Sequence, residues 1–242
     1  MYRRKICIAT GTRADWGLLS GIARALAERD DVELQIVATN MHLSKKYGST
    51  WREIERDGLK ITKSVPMTVD TDSPRGTVDA MSECMSGMAA VFEELEPDLL
   101  VILGDRYEML ATASAALIFR IPIAHIAGGA ISEGAYDESI RHSITKMSHI
   151  HLTETEEYRQ RVIQLGENPD RVINTGAIGV YNITHAKYLS REQLEAELMT
   201  TIPEKSLLAT FHPATLDSIP PKEQCENLLA ALDKFPDYKV IF

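Results

Sequence analysis

Short apolar runs alternate with longer amphipathic stretches along this chain. KICIAT (5–10) and VELQIVAT (32–39) are rich enough in apolar and β-branched residues for strands, and between them LLSGIARALAERD (18–30) repeats its apolar positions at helical spacing. WREIERDG (51–58) predicts a helix stopped by Gly58, ITKSVPM a short strand, and Thr77 to Glu96 a long helix with an Ala/Met/Leu face. LLVILG (99–104) is apolar throughout, as a strand covered on both sides must be. MLATASAALIFR (109–120) follows as a helix, IPIAHIAGG as a strand and ESIRHSITKMS as a helix. HIHLTET, EEYRQRVIQLG and RVINTGA continue the alternation.

This rhythm predicts an α/β fold, a doubly wound parallel sheet with right-handed crossovers. Ligands of such sheets sit beyond the carboxyl ends of the strands, here after Thr10, Thr39, Gly104, Gly129 and Gly176. Past residue 180 the register restarts. Residues 181–205 read as a connecting helix and linker, with SREQ a capping box, and residues 206–242 supply a strand SLLATFHPAT, a helix CENLLAALDKFP and a strand YKVIF. The domains expected are therefore 1–180 and the start of a second α/β domain at 206–242. Two strands and one helix offer too little apolar surface for an independent core. Either they pack on the first domain or an oligomeric partner, or the chain is a truncated form of something longer; truncation is the expectation.

Composition narrows the partners. A net charge of −9 disfavours a nucleic acid or an anionic membrane as the main partner. An anionic ligand then needs a local gathering of Arg, Lys, His and backbone N–H groups. The opening MYRRKICIATGT reads as a first strand rather than a signal peptide, and no apolar run reaches the length of a membrane span. Cys7, Cys84 and Cys225 are widely spaced in apolar or helical surroundings, like buried thiols of a reduced compartment. A cytoplasmic globular protein is expected.

The strand ends carry the candidate chemistry. After the first, Arg13 starts a helix behind the Gly11 turn, where it either meets an anion with the free N–H groups or pairs with Asp15. After the second, His42 with Lys45 and Lys46 either faces a ligand or lies on an ordinary surface. After LLVILG, Asp105 and Arg106 arrive directly at the crevice, Asp105 either capping the next helix or serving as a base or hydroxyl acceptor. His125 precedes Gly128 and Gly129, which permit close backbone approach to a ligand. In the helix that follows, Asp137 and Arg141 share a face, as do Glu138 and His142, while Ile140, Ile144 and Met147 form the buried stripe. His212 ends the first strand of the second domain, facing the first across a cleft. Together these groups suggest an enzyme that binds a phosphorylated ligand.

TGTRADWGLL, MHLSKKYG, ILGDRYEMLA, PIAHIAGG with SEGAYDESIRHSITKMSHIH, GAIGVYNI and TFHPATL occur in that order. The series resembles the hydrolysing UDP-N-acetylglucosamine 2-epimerases of sialic acid and related nonulosonic acid biosynthesis, across essentially the whole chain. The GDR and HIxGG forms point to this hydrolysing branch more than to the non-hydrolysing 2-epimerases, which share the fold. The resemblance implies a glycosyltransferase-B-like pair of Rossmann-like domains with the nucleotide sugar between them. It also implies elimination of UDP to a 2-acetamidoglucal, then hydration to N-acetylmannosamine, with no metal or redox cofactor. By matching motifs, Asp105 and Asp137 are the catalytic carboxylates, Arg13 and His212 face the diphosphate or leaving oxygen, and Arg141 and His142 orient the site.

Two departures stand out. The family pattern has a carboxylate, usually Glu, directly after the paired glycines, where this chain has Ala130. Either Glu133 substitutes for it, the chain is an inactivated variant, or the arrangement differs. The family also continues beyond YKVIF into strands that hold the uridine diphosphate. A relative acting on UDP-diacetylbacillosamine or a GDP-hexosamine, and a non-catalytic domain that binds a partner, are the alternative functions. The partners expected are the nucleotide sugar and a second copy in a homodimer. Met81, Met85 and Met88 form either a dimer patch or a stripe packed on the sheet, and packing on the sheet is preferred.

Overall fold

Seven parallel strands carry the first part of the chain in the order β3-β2-β1-β4-β5-β6-β7. The structure, a computed structural model, describes residues 3–68, 73–133, 135–213 and 217–242. The strands are β1 (Arg4–Thr10), β2 (Val32–Thr39), β3 (Lys63–Val65), β4 (Leu99–Leu103), β5 (Ile123–Ile126), β6 (Ile150–Thr153) and β7 (Val172–Asn174). The order reverses between β1 and β4, whose register pairs Ile6 with Leu99 and Ile8 with Val101. At such a switch point neighbouring loops diverge and leave a crevice. The expected Rossmann-like, doubly wound α/β sheet is what the chain forms.

Strand alternation separates two cores. Cys7, Ala9, Leu100, Ile102 and Ile123 cluster with Cys84, Met88 and Phe92 of α3 (Pro74–Leu95), Met109 and Ala113 of α4 (Tyr107–Ile118), and Ile144 of α5 (Asp137–Met147). Ile8, Ile36, Val101, Leu103 and Ile126 cluster instead with Trp16 and Leu19 of α1 (Arg13–Ala27) and Ile54 of α2 (Trp51–Arg56). Successive residues of one strand thus feed opposite layers, which is why β1 and β4 read as continuously apolar. Of the methionine stripe, Met88 is buried and Met81 packs against the core, whereas Met85 stays 40% exposed. Cys7 and Cys84 are buried and burial pushes their thiols up, to about 12 and about 11; Cys225 is partly buried.

Several boundaries move, each for a local reason. α1 starts at Arg13 rather than Leu18 because Thr12 and Asp15 form a reciprocal capping box there. α3 starts at Pro74, capped by the Ser73 side chain, which accepts from the Gly76 N–H at 3.1 Å. The stretch read as a connector comes after α6 (Glu156–Gln164) and holds two helices, α7 (Ile178–His185) and α8 (Arg191–Glu197), the latter opened by the expected Ser190–Gln193 box. The strand expected over 206–215 is β8 (Ser206–Leu208); 214 and 215 lie outside the described residues.

The chain divides into two compact units, Met1–Ile131 with Asp137–Thr184, and Ser132–Tyr136 with His185–Phe242. In the second, β8 pairs in parallel with β9 (Lys239–Ile241) through α9 (Pro221–Leu232). Leu208 there is 83% exposed and no residue of α9 is buried. Among the described residues, no helix is long and apolar enough to cross a membrane.

Candidate active site

The turn after β1 is built around a carboxylate. Asp15, itself buried, accepts from the Gly11 N–H at 3.1 Å and the Thr12 N–H at 3.0 Å, so it is spent on closing the helix start. Arg13 is exposed on the first turn of α1. The alternative of an Arg13–Asp15 pair therefore gives way to a cap, and the Arg13 guanidinium is left beside a helix N-terminus. Burial raises the Asp15 pKa, with a further push from Glu108 and an opposing pull from Arg106.

Glu108 went unread in the sequence. It sits in the first turn of α4, fully buried, and its Oε1 accepts from Arg106 Nε at 2.6 Å. A Cβ on Gly11 would come within 2.4 Å of that oxygen. The spacing Asp105-Arg106-x-Glu108 was the available signal; YEML looked like an ordinary amphipathic first turn.

The edge of β4 and β5 is a second cluster. Arg141 on α5 donates through Nη2 to Asp105 Oδ2 and through Nη1 to the Ala130 carbonyl, the latter at 2.7 Å. Only 7% of the Arg141 side chain is exposed. Burial lowers its pKa, yet a guanidinium starts high enough to stay charged. The helical spacing predicts a partner for Arg141 on its own face; the ion pair runs across to the β4 loop instead. The other pair takes its expected form, with His142 Nε2 at 3.6 Å from Glu138 Oε1. Asp137 is the first residue of α5, four positions before Arg141, or about 6 Å along the axis. Asp105 follows β4 and Asp137 opens the helix after β5, so both backbone positions lie at the carboxyl edge of the parallel sheet.

Two of the candidate histidines turn inward. His125 is completely buried, with Nε2 at 2.8 Å from the Gly104 carbonyl and Nδ1 at 3.2 Å from Thr145 Oγ1. Nε2 must then carry the proton and Nδ1 accept, a neutral tautomer, and burial drives the pKa down to about 4. It fixes the carbonyl just before Asp105 and so acts behind the site. His42 is equally enclosed, its nitrogens 3.0 Å from Thr10 Oγ1 and 2.9 Å from Thr50 Oγ1, and its pKa is likewise lowered by burial to about 4. With both nitrogens occupied, His42 braces the turns after β1 and β2 rather than facing a ligand.

The paired glycines also serve the protein's own packing. Gly129 has φ +87°, and a Cβ there would meet the Tyr158 carbonyl oxygen at 2.4 Å. A Cβ on Gly128 would meet Thr145 Oγ1 at 3.1 Å. The close approach assigned to a ligand is thus made by α5 and α6. Of the remaining candidates, Glu133 is exposed within the Ser132–Tyr136 segment of the second unit, and His212 is exposed beyond β8. Arg106 is partly exposed at the head of α4. Among the described residues, no three His, Cys, Asp or Glu side chains gather as a metal site.

Comparison with known proteins adds to this geometry. The UDP-N-acetylglucosamine 2-epimerase family model matches residues 24–242. The chain is 41% identical, over its full 242 residues and 63% of the relative, to the GDP/UDP-N,N'-diacetylbacillosamine 2-epimerase (hydrolyzing) of Campylobacter jejuni. It is 38% identical, over 96% of this chain and 59% of the relative, to polysialic acid biosynthesis protein P7 of Escherichia coli. In fold it is similar to the Methanocaldococcus jannaschii UDP-GlcNAc 2-epimerase solved with UDP-GlcNAc and UDP, with a TM-score of 0.79 at 22% identity, covering 98% of this chain and 65% of that one. The chain spans about three fifths of the length of the curated relatives it matches.

Proposed function

We propose that this chain, which belongs to the UDP-N-acetylglucosamine 2-epimerase family, carries the catalytic half of a hydrolysing 2-epimerase acting on a nucleoside-diphosphate-linked 2-acetamido sugar. The observation that carries the reading is the Arg141 guanidinium, which ties Asp105 to the Ala130 carbonyl from the helix that begins with Asp137. Two carboxylates at one sheet edge suit a reaction that removes a proton from C2 and later returns one. In the first step a carboxylate takes the C2 proton, the C1–O bond breaks and the nucleoside diphosphate leaves with that electron pair, giving the 2-acetamidoglucal. In the second, water adds its oxygen to C1 while a proton reaches C2 from the opposite face. Each positioned proton transfer is worth about 10²–10⁴ in rate. Arg13 at the α1 N-terminus and Arg106 beside it supply positive charge for the leaving diphosphate.

Ala130 has no proton to move, and its carbonyl shares the guanidinium that holds Asp105. A carboxylate on that residue would stand next to the same pair. We read Ala130 as lowering turnover while leaving binding intact. Nucleotide release by this chain is to be compared with its Ala130→Glu form; equal rates would remove the idea. The 41% identity to a diacetylbacillosamine epimerase favours, as a second reading, a sugar with two acetamido groups. Offering UDP-GlcNAc and UDP-diacetylbacillosamine side by side, with Asp105→Asn as control, tests both. Release from neither, or release that persists in Asp105→Asn, contradicts the assignment.

A further inference from the structure

The Glu108 carboxylate is the most deeply buried charge at the switch point, and neither helix capping nor catalysis accounts for it. Its Oε1 is bound by Arg106 Nε, and its Oε2 has no hydrogen-bond partner. A buried carboxylate with an unpartnered oxygen is costly, so its place in the structure calls for a reason. Thr112 bonds the Glu108 backbone carbonyl, not the carboxylate. The α4 N-cap is Arg106, without a side-chain cap bond.

Space for the carboxylate is made on purpose by the neighbouring turn. Gly11 does not adopt a left-handed conformation, so its backbone would tolerate a side chain. What forbids one is Glu108, whose Oε1 lies 2.4 Å from where the Cβ would be. Asp15 holds the same turn through two N–H groups. One guanidinium thus sits among two carboxylates, anchored by Nε, with about a third of the Arg106 side chain exposed. Among the described residues its two terminal nitrogens make no hydrogen bond, which leaves a two-pronged edge of the kind that matches paired anionic oxygens.

We infer that Glu108 is a positioning residue for anion recognition: it fixes Arg106 through Nε so that the terminal edge of the guanidinium is preset for a diphosphate. Ordering that long side chain during folding spares the cost at binding. The inference rests on the reading of the crevice as a nucleotide-sugar site, and its first test is independent of turnover. The Arg106 Nε–H resonance, assigned by its loss in Arg106→Lys, is followed during a titration with inorganic pyrophosphate. The unaltered chain is expected to show a protected Nε–H that shifts on titration, and Glu108→Gln to lose the protection and bind pyrophosphate about tenfold more weakly. In turnover with the nucleotide sugar, Glu108→Gln should raise KM about tenfold and leave kcat within about twofold. Gly11→Ala, which displaces the same carboxylate from the other side, should reproduce the KM effect if Glu108→Gln does not fold. An Arg106 resonance indifferent to pyrophosphate, or a KM unmoved in both variants, overturns the inference. A pyrophosphate response without nucleotide release would overturn the enzymatic reading and uphold this one.

Discussion

The turn after β1 and the turn after β5 both carry glycine and differ in what fills the space at it. Each rests on a buried neutral histidine, His42 beneath the first and His125 beneath the second. In the first, the gap at Gly11 admits the movable end of a charged side chain, Glu108. In the second, the gap at Gly129 admits a fixed backbone carbonyl, that of Tyr158. A glycine at a strand end therefore does not by itself mark a ligand contact. One turn is tuned by charge, the other locked by packing.

That difference orders the expected effects. Gly129→Ala combines a left-handed φ with a backbone clash, and should destabilise the fold by roughly 3–5 kcal/mol in urea unfolding; a loss below about 1 kcal/mol would show that α6 yields. Next is pH. Both histidines have folded pKa values of about 4 against an ordinary 6.5, so the unfolded chain takes up protons first. Stability is complete above pH 6.5 and falls as pH drops toward 4, by about 3 kcal/mol for each histidine at the acid end. A flat urea midpoint between pH 7 and pH 4.5 contradicts their buried neutral state. Gly11→Ala should cost less than Gly129→Ala, about 1–2 kcal/mol, because a side chain moves more cheaply than a backbone. Arg141→Lys cannot hold both the Ala130 carbonyl and Asp105, and should slow nucleotide release about tenfold, ~1.4 kcal/mol in the barrier, with the unfolding midpoint nearly kept. Smallest is Arg75→Ala, which removes an exposed pair with Asp79 and should change stability by under about 0.5 kcal/mol.

The sheet was legible because its strands are apolar on both sides and its helices are not. Val32–Thr39 follows the expected bounds to the residue, and helix ends moved where side-chain caps decided them, as at Thr12 and Ser73. The site was legible as residue types and not as partnerships. Helical spacing offers Arg141 only neighbours on α5, whereas its partner Asp105 comes from the loop after β4, 36 positions earlier. Histidines at strand ends invite a ligand role, and burial, which sequence does not display, turned His42 and His125 into internal braces. Glu108 was missed for the same reason: nothing in YEML says that its carboxylate faces inward.

The proposed reaction depends on proton removal at C2 by carboxylates of the β4–β5 edge. Its most direct test is nucleotide-sugar turnover in D₂O with the freed sugar examined by proton NMR. Predicted is one deuterium at C2 for each nucleoside diphosphate released, with both signals lost in Asp137→Asn. Release that leaves C2 fully protonated, or that continues unchanged in Asp137→Asn, would contradict it.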